Sequence, residues 1–373
     1  MTLAVLGMTA CGSSTADQPA AGGSGQKASE EAKQPAAKSS KQLKMYTAYP
    51  EEEAINYANE FEKASGIKVK FVRLSAGETL ARLQAEKNNP QASVWYGGPS
   101  DTFVAASKEG LLDKYTPQGI DKLPKEYLDK DGLWTPLYVG PLGFAVNTEW
   151  LKKNNVKAPE SWEDLLKPEF KKNISISHPG SSGTAYTVVA SLVQLMGEEK
   201  AFDYLKKLDA NVLQYTKSGS APAKQAGLGE AAVGISFSHD ILKPKSEGYP
   251  ITLVFPKEGT GYEVGAAALI KGGPADELDN AKKFIDWAIS KEAQGLYETY
   301  KTFRLPVNPE AKTSDGLTTI SELKVVNYDA VWAGQQRKDL VTKFNEKNQR
   351  CGCGKIEGGL QQPLLRKGGR PFG

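Results

Sequence analysis

Apolar side chains recur along this chain with two different periods. Leu43 to Ala48 and Ile67 to Leu74 read as strands, while Glu51 to Ser65 sets Ala54, Ile55, Ala58 and Phe61 on one helical face that Gly66 closes. Glu78 to Lys87 predicts a second helix, Ser93 to Tyr96 a buried strand, and Thr102 to Glu109 a third helix ended by Gly110. That alternation is the βαβ rhythm of an α/β protein, a parallel sheet with helices on both faces.

The pattern changes at Trp134 to Asn147, a long apolar extended run interrupted by Pro136, Gly140 and Pro141. A run of this kind can carry the chain from one lobe to another. Asn173 to Ser177 then predicts a strand, Ser182 to Met196 and Glu199 to Leu208 helices, and Val233 to Phe237 a further strand. A second extended run from Ile251 to Ile270, followed by a helix from Leu278 to Ser290, suggests a return, and Phe303 to Pro309 a third crossing. Roughly 300 residues with this periodicity exceed what one core usually serves, so two lobes are expected.

Both ends lack the pattern. Leu3 to Leu6 and the following Gly-Met-Thr-Ala-Cys11 resemble a bacterial lipoprotein signal without its charged n-region, so residues 1–11 are read as that signal and Cys11 as the acylated residue. Residues 12–42 hold Ser, Gly, Ala, Pro, Gln and Lys and predict a flexible tether from a lipid anchor to an extracytoplasmic body. The Gly- and Arg-rich stretch 349–373, with Cys351 and Cys353, is expected to be disordered. The remaining composition narrows the function further. Three cysteines, none within the periodic region, exclude a disulfide or a cysteine metal site there, and a net charge of +3 with scattered Lys and Arg implies no nucleic-acid partner. No apolar run approaches the roughly 20 residues of a spanning helix.

Candidate chemistry gathers at the carboxyl ends of strands, where open α/β sheets bind ligands. After the strand Asn173 to Ser177, Pro179-Gly-Ser181-Ser182-Gly183-Thr184 offers backbone N–H groups and hydroxyls at a helix start, the form of a phosphate or carboxylate cradle or of an ordinary N-cap. Ser218-Gly219-Ser220, before the helical stretch Ala223 to Leu228, repeats that chemistry. His239 and Asp240 follow the apolar run Val233 to Phe237, and Glu263 is the carboxylate paired with them. Such a set suits acid–base catalysis, a metal or a polyol. Thr47 and Gly97-Gly98, at the ends of the first and third strands, are the remaining candidates; His178 and the tryptophans 95, 134 and 162 read as packing residues.

Taken in order, Tyr46-Thr-Ala-Tyr-Pro-Glu, Val94-Trp-Tyr-Gly-Gly-Pro-Ser-Asp, Leu111-Leu-Asp-Lys-Tyr, Asn147-Thr148, Ser161-Trp-Glu-Asp-Leu, Gly180-Ser-Ser-Gly-Thr-Ala-Tyr and Arg304-Leu-Pro-Val-Asn-Pro resemble the bacterial extracellular solute-binding proteins of ABC importers, in the ferric-iron-binding-like subgroup. The resemblance implies the two-lobed type II periplasmic binding protein fold, with hinge strands and an interlobe cleft. One lobe would take residues 43–142 with 256–308, the other 143–255 with 309–348. It implies as partners a small-molecule ligand and a membrane permease with its ATPase, a monomeric receptor, no cofactor and no catalysis. Ferric-binding members use a tyrosine pair late in the second lobe; here that region reads Leu213-Gln-Tyr215-Thr, with no tyrosine doublet. His239-Asp240 with Glu263 is similar instead to the pattern of hexose-phosphate-binding members, in which those side chains hold sugar hydroxyls and serine-rich loops hold phosphate. Ferric iron, an organophosphonate and pyridoxal phosphate are the alternatives within the family. A phosphohydrolase using His239 and Asp240 is the competing class, and no Gly-x-Ser-x-Gly nucleophile motif accompanies it.

Overall fold

The computed structural model describes residues 40–348, so the expected signal with Cys11, nearly all of the tether and the 349–373 tail lie outside the described residues. β1 (Gln42–Thr47), α1 (Glu51–Ser65), β2 (Lys68–Arg73), α2 (Ala76–Ala85), β3 (Val94–Pro99) and α3 (Ser100–Lys108) follow the predicted order. α2 begins two residues before the predicted Glu78 because Ser75 is its N-cap and Glu78 Oε2 reaches back 3.0 Å to the Ser75 N–H, a capping box. After the short β4 (Leu112–Asp113), β5 (Thr135–Asn147) runs buried along all 13 of its residues.

The chain continues through α4 (Thr148–Asn154), β6 (Ile174–Ser177), α5 (Gly183–Met196), α6 (Glu198–Asp209), β7 (Val212–Thr216), α7 (Ala221–Gly227), β8 (Val233–Phe237) and α8 (Ser238–Ser246). The extended run expected from Ile251 to Ile270 is two strands, β9 (Ile251–Val254) and β10 (Tyr262–Ile270). Pro256 and the left-handed Gly259 break it, and the two pieces pair with opposite ends of β5. α9 (Leu278–Ala288), α10 (Lys291–Thr299), the two-residue β11 (Leu305–Pro306) and α11 (Ala330–Lys347) complete the chain.

The strands form one eleven-stranded sheet with the path β2-β1-β3-β10-β5-β8-β6-β7. β5 ties it together. Its residues Thr135 to Pro141 pair with β10, and Leu142 to Val146 pair with β8. Period-two alternation divides the first half of the sheet between two helical layers. Leu43 and Met45 face Phe61 and Phe284, whereas Tyr46 faces Leu80 and Phe103. The second half has its own core, where Leu142, Phe144 and Val146 meet Tyr186, Phe202 and Phe237 together with Ala333, Leu340 and Phe344 of α11. This is the two-lobed α/β architecture that the sequence predicts.

Gly234 on β8 shows how closely the second half is packed. A Cβ there would stand 2.2 Å from the Pro222 carbonyl oxygen, a backbone atom that no rotamer change can move away. Gly234→Ala is expected to lower unfolding stability by about 1–3 kcal/mol, read as an earlier urea midpoint with an unchanged slope.

Candidate functional site

Five helices aim their N-termini at one cavity, which Pro50 before α1, Ser75 and Ala76 at α2, Pro99 before α3, Thr184 in α5 and the first turn of α8 all line. Each end brings the positive pole of a helix dipole, which favours an anion, although the Gly77 and Glu78 N–H groups of α2 are taken by the Ser181 carbonyl. Arg73, the last residue of β2, adds the charge. Its guanidinium donates to Ser218 Oγ at 2.8 Å, to Ser75 Oγ at 3.3 Å and to the Tyr49 carbonyl at 3.4 Å. Gly219 and Ser220 close this end, and a Cβ on Gly219 would stand 2.0 Å from Thr184 Oγ1, so glycine lets the loop meet α5.

The opposite end is built by β8, β10 and β5. His239 and Asp240 lie in the first turn of α8, directly after β8, and Glu263 projects from β10 beside Gly140 of β5. His239 Nε2 is 3.5 Å from Glu263 Oε1 and 3.9 Å from Asp240 Oδ2. The ring stacks on Phe237 at 5.6 Å and meets Tyr138 edge-on at 5.6 Å. Gly140 admits it, since a Cβ there would be 2.8 Å from His239 Cε1 and Nδ1.

Beneath these side chains Arg304 pairs with Glu53 of α1 and lies between the rings of Tyr49, at 4.6 Å, and Tyr138, at 4.9 Å. Arg304 Nε and His239 Nδ1 are buried polar atoms at this site without a protein partner among the described residues. Burial, helped by the charge of Arg304, holds the His239 pKa well below the ordinary range, so the ring is neutral at pH 7. Burial also pushes Glu263 well above the usual carboxylate range, Asp240 to about 6 and Glu53 to about 7. A neutral imidazole and a protonated carboxyl each donate one hydrogen bond and accept others, which matches the two-way chemistry of hydroxyl groups. The cavity thus has an anion end, lined by Arg73, hydroxyls and helix N-termini, and a hydroxyl end, lined by His239, Asp240 and Glu263, named for the chemistry each presents.

Of the residues singled out in the sequence, Gly98, Thr184, Gly219, Ser220, His239, Asp240 and Glu263 line this cavity. The others do not reach it. Thr47 is fully buried, with its hydroxyl accepting the Tyr49 N–H at 3.3 Å, and Ala48 and Pro50 form the wall in its place. Gly97, at φ 86°, packs against the Tyr49 ring, and Gly183 packs against Pro99. Ser182 caps α5 by accepting the Ala185 N–H at 3.3 Å, Ser181 donates to the His178 and Lys217 carbonyls, and Ser218 receives Arg73. His178 accepts the Gly180 N–H and packs on Phe344, as a loop-packing residue.

Sequence reasoning passed over Arg73, Ser75, Tyr138 and Arg304. Arg73 ends a strand, the position that marks ligand contacts in such sheets, and Ser75-x-x-Glu78 is a legible capping box. Nothing local signals Arg304. Its partner Glu53 is some 250 residues away in the chain.

Residues 100–331 match the model of the bacterial extracellular solute-binding protein family. An uncharacterised protein of Haemophilus influenzae is 42% identical over 292 residues, covering 76% of this chain and 84% of its own length. The periplasmic binding protein AfuA from Actinobacillus pleuropneumoniae, whose structure was determined with exogenous fructose-6-phosphate bound, is 43% identical with a TM-score of 0.81, covering 83% of this chain and 99% of that one. The structure of the periplasmic binding protein P5PA is 35% identical with a TM-score of 0.79, over 82% and 99% of the two chains.

The raised carboxyl groups link stability to pH. For Asp240 and Glu53 the folded state holds protons that the unfolded chain releases between the ordinary carboxylate values of 3.8 and 4.5 and the folded values of about 6 and 7. Their contribution is therefore complete below about pH 4 and is lost as pH rises to about 7. Urea titrations at pH 5 and pH 7.5 are expected to differ less for Asp240→Asn than for the wild type, by about 1.4 kcal/mol.

Proposed function

Because this chain belongs to the bacterial extracellular solute-binding proteins, a family that delivers small molecules to ABC permeases, we propose that its ligand is a phosphorylated small molecule, a hexose phosphate above all. The observation that carries this reading is the division of one cavity into an anion end and a hydroxyl end. Phosphate would lie between Arg73, Ser75, Thr184 and the Gly219-Ser220 backbone, facing helix N-termini that favour negative charge. The sugar hydroxyls would meet His239, Asp240 and Glu263. The fructose-6-phosphate held by AfuA, at 43% identity, supports the same class of ligand.

Closure belongs to this reading. The cavity measures about 40 Å³, room for only two or three water molecules, so its walls must part to admit a sugar phosphate. We assign the moving halves to residues 43–142 with 256–308 and 143–255 with 309–348, and the membrane tether to Cys11 with 12–42. Separate hydrophobic cores at the two ends of β5 support that division. The receptor holds its ligand without covalent chemistry, and the permease with its ATPase takes the ligand up.

Calorimetry against glucose 6-phosphate, fructose 6-phosphate, inorganic phosphate, an aminoalkylphosphonate and ferric citrate tests the reading, with phosphate release followed in parallel. Stoichiometric binding of a sugar phosphate without turnover is expected. Arg73→Gln should weaken every phosphorylated ligand tenfold or more, since hydrogen bonds to charged groups are worth about 1.5–3 kcal/mol. Glu263→Ala should erase the preference for a sugar phosphate over inorganic phosphate while leaving phosphate binding in place. Tight binding of ferric citrate or the phosphonate with no response to the sugar phosphates would overturn the assignment of the hydroxyl end. Steady release of phosphate would replace the receptor by an enzyme.

A further inference from the structure

Away from the cavity, one buried polar cluster joins the two cores. Asp101, 1% exposed, lies in the first turn of α3, whose Phe103 and Ala106 pack with Trp95 in the first half of the molecule. Its Oδ1 accepts the neighbouring Thr102 hydroxyl at 2.9 Å. Among the described residues its Oδ2 is served from the other half, by the Tyr328 hydroxyl at 2.6 Å and the Thr187 hydroxyl of α5 at 3.1 Å. Arg337 of α11, buried over the Tyr186 ring at 4.3 Å, donates to the Thr102 hydroxyl at 3.4 Å and to the Pro179 carbonyl at 3.2 Å. One guanidinium thus faces the Asp101 carboxylate through Thr102 and also holds the loop that leads into Thr184.

The backbones approach closely at the same place. A Cβ on Gly334 of α11 would stand 2.5 Å from the Asp101 carbonyl oxygen and 2.5 Å from Val104 Cβ. On the cavity side of this contact the Gly77 N–H donates to the Ser181 carbonyl at 2.9 Å. A buried carboxylate is stable only when its lone pairs are met, and two of the three donors to Asp101 belong to α5 and to the segment entering α11. Separating the halves removes both. Thr187 retains an alternative acceptor in the Gly183 carbonyl at 3.1 Å, whereas Tyr328 and Asp101 must turn to water.

We infer that Asp101, Thr187, Tyr328 and Arg337 form a latch that stabilises the closed arrangement of the halves without contacting ligand, and so scales the affinity for every ligand by one common factor. The inference rests on the receptor reading, because a latch matters to binding only where binding requires closure. Its logic is a population shift: the apparent dissociation constant varies inversely with the fraction of molecules in the binding-competent state.

Tyr328→Phe and Thr187→Val remove the two donors with little change of shape. Each is compared with the wild type by small-angle X-ray scattering without ligand, by calorimetry with glucose 6-phosphate and with inorganic phosphate, and by thermal melting. Tyr328→Phe should increase the radius of gyration and raise both dissociation constants by the same factor of about ten, with faster dissociation. Thr187→Val should act in the same direction more weakly. A lower melting temperature with unchanged scattering and affinity would overturn the latch in favour of a purely structural cluster, and factors that differ between the two ligands would overturn it in favour of a specificity contact. Should the wild type bind no phosphorylated ligand, the receptor reading fails at that step, and the scattering comparison alone decides whether the cluster holds the halves together.

Discussion

Arg304 is the constraint around which the site is arranged. A guanidinium removed from water is tolerable only when charge and hydrogen bonds surround it, and Glu53 supplies the first while the faces of Tyr49 and Tyr138 add cation–π attraction. Those partners come from α1, the loop after β1 and β5, so the ion pair fixes three separate segments relative to one another. Its field also reaches the residues above it. Beside a cation in a buried pocket His239 stays neutral, and the same burial pushes the Glu263 carboxyl well above the usual carboxylate range despite that cation. This end of the cavity therefore sets a neutral imidazole and two carboxyls of raised pKa over one buried cation.

The anion end works on a different principle. Its positive potential comes from the ends of helices and one partly exposed arginine, groups whose orientation is settled when the sheet forms. Its parts come from both halves, with Arg73 and Ser75 on one side and Thr184, Gly219 and Ser220 on the other. A cavity with helix dipoles and an arginine at one end and an imidazole with two carboxyls at the other offers unlike surroundings to the two ends of what it holds.

Much of this was legible in the sequence wherever a local rule applied. The alternation of strand and helix from Gln42 to Lys108, the crossing strand at Thr135 to Asn147 and the cluster His239, Asp240 and Glu263 all announce themselves through period, turn residues or position after a strand. The serine loops were legible as helix starts, but not which of their side chains face the cavity. Ser181 and Ser182 turn to backbone partners within reach, as short hydroxyl side chains do, while Thr184 one turn further on faces inward. Thr47 misled for a related reason: the chain turns inward after β1, and the residues beyond it form the wall. Arg304 and the Asp101 cluster depend on pairings across more than 200 residues, which no periodicity reports. α11 was equally silent, because its buried residues are divided between two neighbours, Ala333 and Leu340 toward the second core and Gly334 toward α3.

β5 carries a consequence for how the two cores are joined. Leu137, Tyr138 and Val139 belong to one core and Leu142, Phe144 and Val146 to the other, all on one unbroken strand. Thr135 to Pro141 serve the ladder of the first half and Leu142 to Val146 that of the second, so each half has its own portion of that strand. β5 lies inside the sheet between β10 and β8, and it is the strand through which the two ladders are joined. The pairing partner changes between Pro141 and Leu142 on one backbone, so a change of twist at that point would turn one core against the other without breaking either ladder.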